Sequence, residues 1–201
     1  MPDFTAINVT IDGHQRTKYI ASDKCTSDGS SYICEAGSSG YIYNETSFDK
    51  TNPSYFSPTL LGGSIEWDTN MSQHDCGCVS SFYLVAMPGK DKNGSFWSDK
   101  WYYCDANAVG GDYCPEFDLQ EGNKWAFQTT PHTCNAPSSV GFFDWCDGGG
   151  QCVMNIADQL QWNGYGPGSQ YTINTEEQFH VKVEFLTDSN GQMNGFSTTF
   201  T

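Results

Sequence analysis

Apolar and polar residues alternate regularly in two segments of this chain, and this pattern limits the secondary structure that they can form. Residues 177–186 alternate over their length, with the apolar side chains supplied by Phe179, Val181, Val183 and Phe185. Residues 64–68 alternate in the same way. Because successive side chains of a strand point to opposite faces, both segments are predicted to be strands with one buried face. Helical periodicity is scarce, so the chain is predicted to be all-β.

Glycine-rich turns divide the chain into many short predicted strands. Residues 81–87 are apolar almost throughout, which predicts a strand buried on both faces at the centre of its sheet. Only residues 154–160 have a pattern that could form one or two helical turns. Many short strands between such turns are typical of a sandwich of two antiparallel sheets. We expect a single domain over residues 1–201.

The charge of the chain argues against several classes of partner. It has 9 Lys and Arg residues against 24 Asp and Glu residues, a formal net charge of −15. Nucleic acids and anionic membranes would be repelled by this charge, and a neutral partner fits better. The longest apolar runs, such as residues 82–87, are far too short to cross a bilayer. We therefore expect a soluble chain with no nucleic-acid or membrane partner. We also expect it to be a monomer.

Nine cysteines in 201 residues suit an oxidising compartment better than the cytosol. Four Asn-x-Ser/Thr triplets agree with passage through the secretory pathway, and they begin at Asn8, Asn44, Asn70 and Asn93. Because nine is odd, at least one cysteine is free or pairs outside this chain. The sequence therefore predicts a secreted, extracellular glycoprotein with disulfide bonds.

Three carboxylates crowd into one short segment, as Glu116, Asp118 and Glu121. A regular strand would place Glu116 and Asp118 on one face and Glu121 on the other. One extra residue bulged out near 119–120 would bring all three to the same face, and bulges are common beside active sites. The spacing therefore predicts a β-bulge at this point.

Paired carboxylates on a concave sheet are the machinery of a retaining glycosidase, with one as nucleophile and one as acid/base. A third carboxylate beside the nucleophile can hydrogen-bond to it and share a proton, which limits the repulsion among three charges. An isolated trio of this spacing more often indicates a solvated acidic strand or part of a calcium loop. The surrounding motifs decide between these readings.

Several motifs around the trio occur together in one known family. Residues 116–123 read Glu-Phe-Asp-Leu-Gln-Glu-Gly-Asn, and residues 130–134 read Thr-Pro-His-Thr-Cys. Residues 83–87 read Tyr-Leu-Val-Ala-Met, and residues 103–105 read Tyr-Cys-Asp. With these motifs the chain resembles glycoside hydrolase family 7, the fungal-type cellulases, in its endoglucanase form, over about residues 60–200. The resemblance implies a β-jelly-roll sandwich with a concave substrate cleft.

The resemblance also implies roles for individual residues. Glu116 would be the nucleophile, Asp118 its partner and Glu121 the acid/base. The supporting and substrate-binding residues that it implies are Asp105, Tyr103, Asn123 and His132. The implied reaction is endo-acting, retaining hydrolysis of β-1,4-glucan or a related β-glycan, with a polysaccharide as substrate and neither metal nor cofactor. Short loops where the family has long ones favour an open cleft.

The resemblance further implies two disulfides, Cys104–Cys114 and Cys134–Cys146, while Cys25 and Cys34 look like a local bridge. It leaves the pairing of Cys76, Cys78 and Cys152 open. The segment 74–78 contains ligand types that suit a metal, but its cysteines are too close for the usual Cys-x-x-Cys reach, so no metal is assigned.

Two departures from the family pattern concern the sugar-binding surface. The family has tryptophan where this chain has Gln120, and arginine where it has Asp158, so we expect part of that surface to be rebuilt. The family's chain also continues past the point that matches Thr201. Either residues before Leu60 replace those strands, or a C-terminal part is absent.

Tryptophans can stack on the apolar faces of sugar rings. Trp67 lies on the apolar side of a predicted strand and is assigned to the core. The stacking candidates, which lie near loops or near the carboxylate strand, are Trp97, Trp101 and Trp125.

Two alternative functions remain open at this point. A polysaccharide lyase on the same kind of fold would cleave a uronan by β-elimination, and its product would be unsaturated. A catalytically silent jelly roll would bind glycans and release no reducing ends. Residues 1–59 lie outside the resemblance, and they do not help to choose among a hydrolase, a lyase and a silent glycan-binding protein.

Overall fold

The structure is a computed structural model that describes residues 3–22, 24–27, 31–97, 101–151, 154–155 and 163–201. The described residues form strands and turns and contain no helix. The strands are β1 (Asp3–Ile11), β2 (His14–Ser22), β3 (Cys25–Ser27), β4 (Tyr32–Cys34), β5 (Tyr41–Tyr43), β6 (Ser64–Asn70), β7 (Ser80–Val85), β8 (Glu116–Gly122), β9 (Phe127–His132), β10 (Met154–Asn155), β11 (Tyr165–Gly166), β12 (Ile173–Asn174), β13 (Gln178–Thr187) and β14 (Met193–Phe200). The all-β prediction is confirmed.

The chain divides into two compact units, Met1–Pro58 and Thr59–Thr201. In the first unit β1, β2 and β5 form an antiparallel sheet, and β3 pairs with β4. The buried Tyr43 packs its ring against Tyr55 at 4.8 Å between centroids. The expectation of one domain over residues 1–201 stays a prediction.

The second unit contains two antiparallel sheets, ordered β10-β9-β8-β7 and β14-β13-β6. Their facing side chains form a shared apolar core. The four-stranded sheet contributes Leu119, Phe82, Leu84 and Phe117, and the three-stranded sheet contributes Val183, Phe185, Ile65, Trp67 and Phe196. This arrangement is the predicted sandwich, and it places Trp67 in the core, as predicted.

The alternation that predicted β13 is visible in its burial, because every second residue from Phe179 to Phe185 is buried. Two other predictions were wrong. Among the described strands β7 pairs only with β8 and lies at a sheet edge. Its apolar run arises because Phe82 and Leu84 pack into the core while Tyr83 lines a cavity. Residues 154–155 form strand β10 rather than a helical turn, and the rest of 154–160 lies outside the described residues.

The predicted bulge is present in β8. Opposite β7, Asp118 pairs with Tyr83 and Gln120 with Phe82, so Leu119 is the extra residue. Opposite β9, Asp118 pairs with Thr130 and Glu121 with Gln128, which leaves two residues of β8 against Thr129. The bulge restores the parity of the strand beyond it, and Glu121 therefore faces the same side as Asp118.

The bulge also corrects the interpretation of Gln120. Leu119 and Gln120 are consecutive but are both buried, with 0% and 3% of their surface exposed. Gln120 accepts a hydrogen bond from the Trp67 indole nitrogen at 2.9 Å and donates to the Ser80 hydroxyl at 3.0 Å. The residue therefore lies between the sheets, and its change from tryptophan does not rebuild the sugar-binding surface. Asp158 lies outside the described residues.

Three disulfides join cysteines of the described ranges, Cys25–Cys34, Cys104–Cys114 and Cys134–Cys146, which confirms the predicted pairs. Cys76 and Cys78 are exposed free thiols, and Cys152 lies outside the described residues. Among the described residues there is no helix long and apolar enough to span a membrane.

Candidate functional site

A cavity of about 340 Å³ opens on the four-stranded sheet of the second unit. Six of the sequence-predicted site residues line it, namely Glu116, Asp118, Glu121, His132, Asp105 and Tyr103. The other lining residues are Ser81, Tyr83, Asn107, Val109, Gln128, Thr130, Gly148 and Gly149. The trio therefore converges on one cavity, as the bulge requires.

Glu116 begins β8 and is held by the loop that precedes the strand. One of its carboxylate oxygens, Oε2, accepts a hydrogen bond from the backbone N–H of Ala106 at 3.0 Å. That loop is closed by the Cys104–Cys114 disulfide and folded around Asp105, whose Oδ1 accepts the backbone N–H groups of Asn107 and Val109. Burial, together with the charges of Asp118 and Asp105, raises the pKa of Glu116 to about 7.

Asp118 and His132 form a buried hydrogen-bonded pair across β8 and β9. His132 Nε2 lies 2.9 Å from Asp118 Oδ2, and its Nδ1 lies 2.7 Å from the Asp147 carbonyl oxygen. Because a carbonyl oxygen only accepts, Nδ1 carries a hydrogen, and a second proton is shared between Nε2 and the carboxyl. Burial and the charge of Glu121 raise the pKa of Asp118 to about 6, although the bond to His132 opposes them.

The pKa of His132 is also raised. Its burial acts in the opposite direction, but the hydrogen bonds to the Asp147 carbonyl and the Asp118 carboxylate outweigh it. The pair therefore tends to keep a proton beside Glu116. A proton held there limits the repulsion among the clustered carboxylates.

Glu121 lies beyond the bulge and has a different neighbour. Its Oε2 accepts a hydrogen bond from the side-chain amide of Gln128 at 2.8 Å. Gln128 is the residue directly opposite Glu121 on β9. Glu116 is thus held by a backbone donor, Asp118 by an imidazole and Glu121 by an amide.

Tyr103 lies beside Tyr83 in the wall of the cavity, with ring centroids 6.3 Å apart. Burial, followed by the neighbouring Tyr83 and Asp105, raises the pKa of Tyr103. Its phenol therefore stays protonated and can donate a hydrogen bond.

Glu116, Asp118 and His132 also have the residue types of a metal site, with ligand atoms all within 4.8 Å of one another. Both ring nitrogens of His132 are, however, already hydrogen-bonded, to Asp147 and Asp118. A metal at this position would have to break the Asp118–His132 bond. The donor set therefore fits a shared proton better than a cation.

Four of the predicted binding residues do not line the cavity. Asn123 shapes the turn between β8 and β9, since its side-chain oxygen accepts the backbone N–H groups of Trp125 and Ala126. Trp101 is only 8% exposed, so it presents no open face to a sugar. Trp97 donates its indole N–H to the Gly110 carbonyl, and the exposed Trp125 donates to Asp75. Stacking by Trp97 and Trp125 stays a prediction.

The sequence reasoning missed Gln128 and Thr130, although the signal was available. His132 was predicted at the site, and residues two and four positions before it on β9 share its face. The intervening Phe127 and Thr129 are buried on the core side, where Thr129 lies 3.4 Å from Thr198 of the other sheet. Alternation in β9 therefore identifies Gln128 and Thr130 once His132 is placed.

The raised pKa values make stability depend on pH. Glu116 has a pKa of about 7 against its ordinary 4.5, so the folded protein binds more protons than the unfolded chain between these values. The free energy of unfolding should therefore fall as pH rises through this window. Glu116→Gln removes this pH-dependent loss of stability. The free energy of unfolding of the variant relative to wild type should therefore rise by about 1 to 2 kcal/mol from pH 5 to pH 8, a range that allows for the partial exposure of Glu116 to solvent.

Chemical denaturation of both proteins at a series of pH values measures this difference. Glu177→Gln, at an exposed position of the second unit, is the matched control and should show no pH-dependent gain. A difference between wild type and Glu116→Gln that is constant with pH would contradict the buried, proton-binding site described here.

The fold and the cavity together define a β-sandwich with a cleft of clustered carboxylates, the arrangement expected of a glycoside hydrolase. The chain is 26% identical over 221 residues to endoglucanase 1 of Humicola insolens, which covers 96% of this chain and 50% of that protein. It is 32% identical over 159 residues to endoglucanase EG-1 of Trichoderma longibrachiatum, which covers 68% of this chain and 31% of that protein. No protein-family model matches the chain.

Solved structures give the same picture of the fold. An endoglucanase I complexed with cellobiose superposes with a TM-score of 0.73 at 18% identity, over 98% of this chain and 69% of that one. A GH7 family cellobiohydrolase from Daphnia pulex gives a TM-score of 0.71 at 18% identity, over 100% and 69%. The chain is thus a relative of family 7 endoglucanases, and it spans about half the length or less of the curated relatives it matches. The predicted resemblance and the β-sandwich fold are confirmed.

Proposed function

We propose that this protein is an endo-acting glycoside hydrolase that cleaves β-1,4-glucan, or a related β-glycan, with retention at the anomeric carbon. The observation that carries the proposal is the convergence of Glu116, Asp118 and Glu121 on one cavity across a β-bulge. Retaining hydrolysis needs a nucleophilic carboxylate and a proton-donating carboxyl on the same concave surface. The similarity to proteins named endoglucanases supports the same conclusion.

In the first chemical step the Glu116 carboxylate forms a bond to the anomeric carbon as the glycosidic C–O bond breaks. The leaving oxygen takes the electron pair of that bond and a proton from Glu121. In the second step Glu121, now ionised, takes a proton from water, and the water oxygen displaces Glu116. The Ala106 N–H stabilises the ionised form of Glu116 that these steps require.

Asp118 and His132 would act next to the nucleophile without bonding to the sugar carbon. Their shared proton reduces the charge that Glu116 must face while it is ionised. Asp105 orders the loop that carries the Ala106 N–H, and through this N–H it would help to hold Glu116 in place. Asp105 and His132 are therefore assigned supporting roles, and the protonated Tyr103 is available to bind substrate.

The setting of the reaction follows from the same proposal. A neutral polysaccharide fits a cavity lined by four acidic residues and by no Lys or Arg among the described residues. Secretion is supported by the three disulfides. We expect the enzyme to act as a monomer without a metal or organic cofactor.

Following the new reducing end by proton NMR tests the reaction and its stereochemistry together. With a soluble β-1,4-glucan, the first product observed should be the β-anomer, and the α-anomer should appear only by later mutarotation. An initial α-anomer would mean inversion and would reject the proposed roles of Glu116 and Glu121.

The lyase alternative is not favoured. A lyase must neutralise a uronate carboxylate, and no Lys or Arg is among the described residues that line the cavity. Ultraviolet absorbance of an unsaturated product would nevertheless reveal it in the same reactions. Binding of glycan with neither reducing ends nor unsaturation would identify a silent binding protein.

A further inference from the structure

The side-chain amide of Gln128 lies in the cavity beside Glu121, and the proposed mechanism gives it no role. Its Nε2 donates to Glu121 Oε2 at 2.8 Å, and the side chain is half-buried in the cavity wall. Among the described residues, Gln128 is the one whose side chain donates a hydrogen bond to Glu121. Ser81, on the other side of Glu121 in β7, makes no such bond there.

The bulge in β8 brings these two side chains together. Asp118 pairs with Thr130, so an unbulged ladder would place Glu121 opposite Phe127, which points into the core. The extra residue shifts the register by one, and Glu121 instead pairs with Gln128. Directly opposed side chains on one face lie about 4.5 to 5.5 Å apart at Cβ, which is close enough for this hydrogen bond.

We propose that Gln128 is a positioning residue that selects the oxygen of Glu121 from which the proton is given to the glycosidic oxygen. This inference rests on the proposed acid/base role of Glu121. The reason lies in the chemistry of the amide, because an N–H group donates and cannot accept. With Oε2 occupied as the acceptor of this bond, the acid proton of Glu121 resides on Oε1.

The same bond also fixes the orientation of the carboxyl group. A glutamate side chain has three rotatable torsions, and a single charge-assisted bond to a strand-anchored amide removes most of its freedom at the terminal torsion. Proton transfer requires the donor oxygen within about 2.6 to 3.2 Å of the leaving oxygen. Loss of the bond should therefore reduce proton donation specifically, while the attack by Glu116 is left in place.

Leaving-group dependence separates this role from a structural one. We would measure kcat/KM for aryl β-cellobiosides whose phenols have pKa values from about 4 to about 10, because this constant reports the first chemical step. For Gln128→Met, which has a similar length but no polar atoms, poor leaving groups should lose about 10- to 100-fold. The most acidic phenols, which need no proton, should change by less than about threefold. The plot of log kcat/KM against leaving-group pKa should become steeper.

Two further variants sharpen the experiment. Gln128→Glu keeps the shape of the side chain but replaces the donor with a second carboxylate, and it should steepen the plot at least as much. If circular dichroism shows that Gln128→Met does not fold, the leaving-group plot is measured on Gln128→Glu instead. Gln178→Met makes the same chemical change at an exposed position of β13 and should leave the plot unchanged.

The outcomes distinguish this inference from the proposed function. A plot of log kcat/KM against leaving-group pKa that is steeper in both Gln128 variants than in the wild type supports the positioning of Glu121 by Gln128. A parallel downward shift, equal for all leaving groups, would overturn it in favour of a structural role, and an unchanged line would overturn it outright. If the wild-type protein hydrolyses neither aryl glycosides nor glucan, the proposed function is wrong, and the positioning role of Gln128, which rests on it, is overturned as well.

Discussion

Replacing Glu116 by glutamine should lower hydrolysis of a soluble β-1,4-glucan by at least about a thousandfold, equivalent to about 4 kcal/mol of transition-state free energy. The substitution removes the charge that attacks the anomeric carbon but keeps the length and shape of the side chain. The Gln128–Glu121 bond and the Asp118–His132 pair do not involve residue 116, so the rest of the cavity should persist.

Reducing-end assays at equal protein concentration measure this loss, and circular dichroism reports the fold. Glu177→Gln makes the same change on an exposed turn and should retain wild-type activity. Substantial turnover by a folded Glu116→Gln protein would remove Glu116 from the role of nucleophile. Glu116→Gln should therefore lose activity and also gain stability relative to wild type at high pH. A variant that shows both effects is folded and inactive.

Glu121→Ala should separate two classes of substrate. The variant cannot protonate a leaving group, so hydrolysis of polysaccharide should fall by about 100-fold or more. An activated nitrophenyl glycoside needs no proton to leave, and its kcat/KM should fall far less. Measuring both substrates with one preparation of the variant gives the ratio directly, with Glu177→Ala as control.

Added azide should restore part of the turnover of Glu121→Ala on the activated substrate. Azide attacks the glycosyl-enzyme without needing a general base, and it takes the place of water in the second step. Mass spectrometry of the products should then show a glycosyl azide. Equal losses on both substrates, with no effect of azide, would show that Glu121 is not the acid/base.

Much of the site could be predicted from the sequence because strand geometry has a strict period of two. The spacing of Glu116, Asp118 and Glu121 breaks that period, and only an extra residue repairs it. The disulfides Cys104–Cys114 and Cys134–Cys146 followed from the family resemblance, since local sequence does not determine which cysteines meet in space.

The errors have equally physical causes. The prediction that Gln120 changes the sugar-binding surface rests on the tryptophan that the family has at this position. It is wrong because the bulge turns the two consecutive side chains of Leu119 and Gln120 inward. Residues 81–87 were placed at the centre of a sheet because Tyr83, which lines the cavity, looks as apolar as a core residue. Position within a sheet depends on pairing partners that a single strand's sequence does not encode.

Alternation in β9 places Gln128 on the same face as His132, but it does not show which side chain Gln128 contacts. Glutamine is common on solvated faces of strands, and nothing in its type indicates a contact with a carboxylate. Its role becomes visible only when the register of β8 and β9 is known, because that register decides which residue faces Glu121.

The bulge changes how β8 aligns with regular strands of other proteins. A regular strand that carries three same-face acids holds them at i, i+2 and i+4, and no substitution converts that spacing into the one found here. The conversion requires one inserted residue between Asp118 and Glu121. A gapless alignment with such a strand would therefore set the core residue Gln120 against the third acid, and a single gap restores the chemical correspondence.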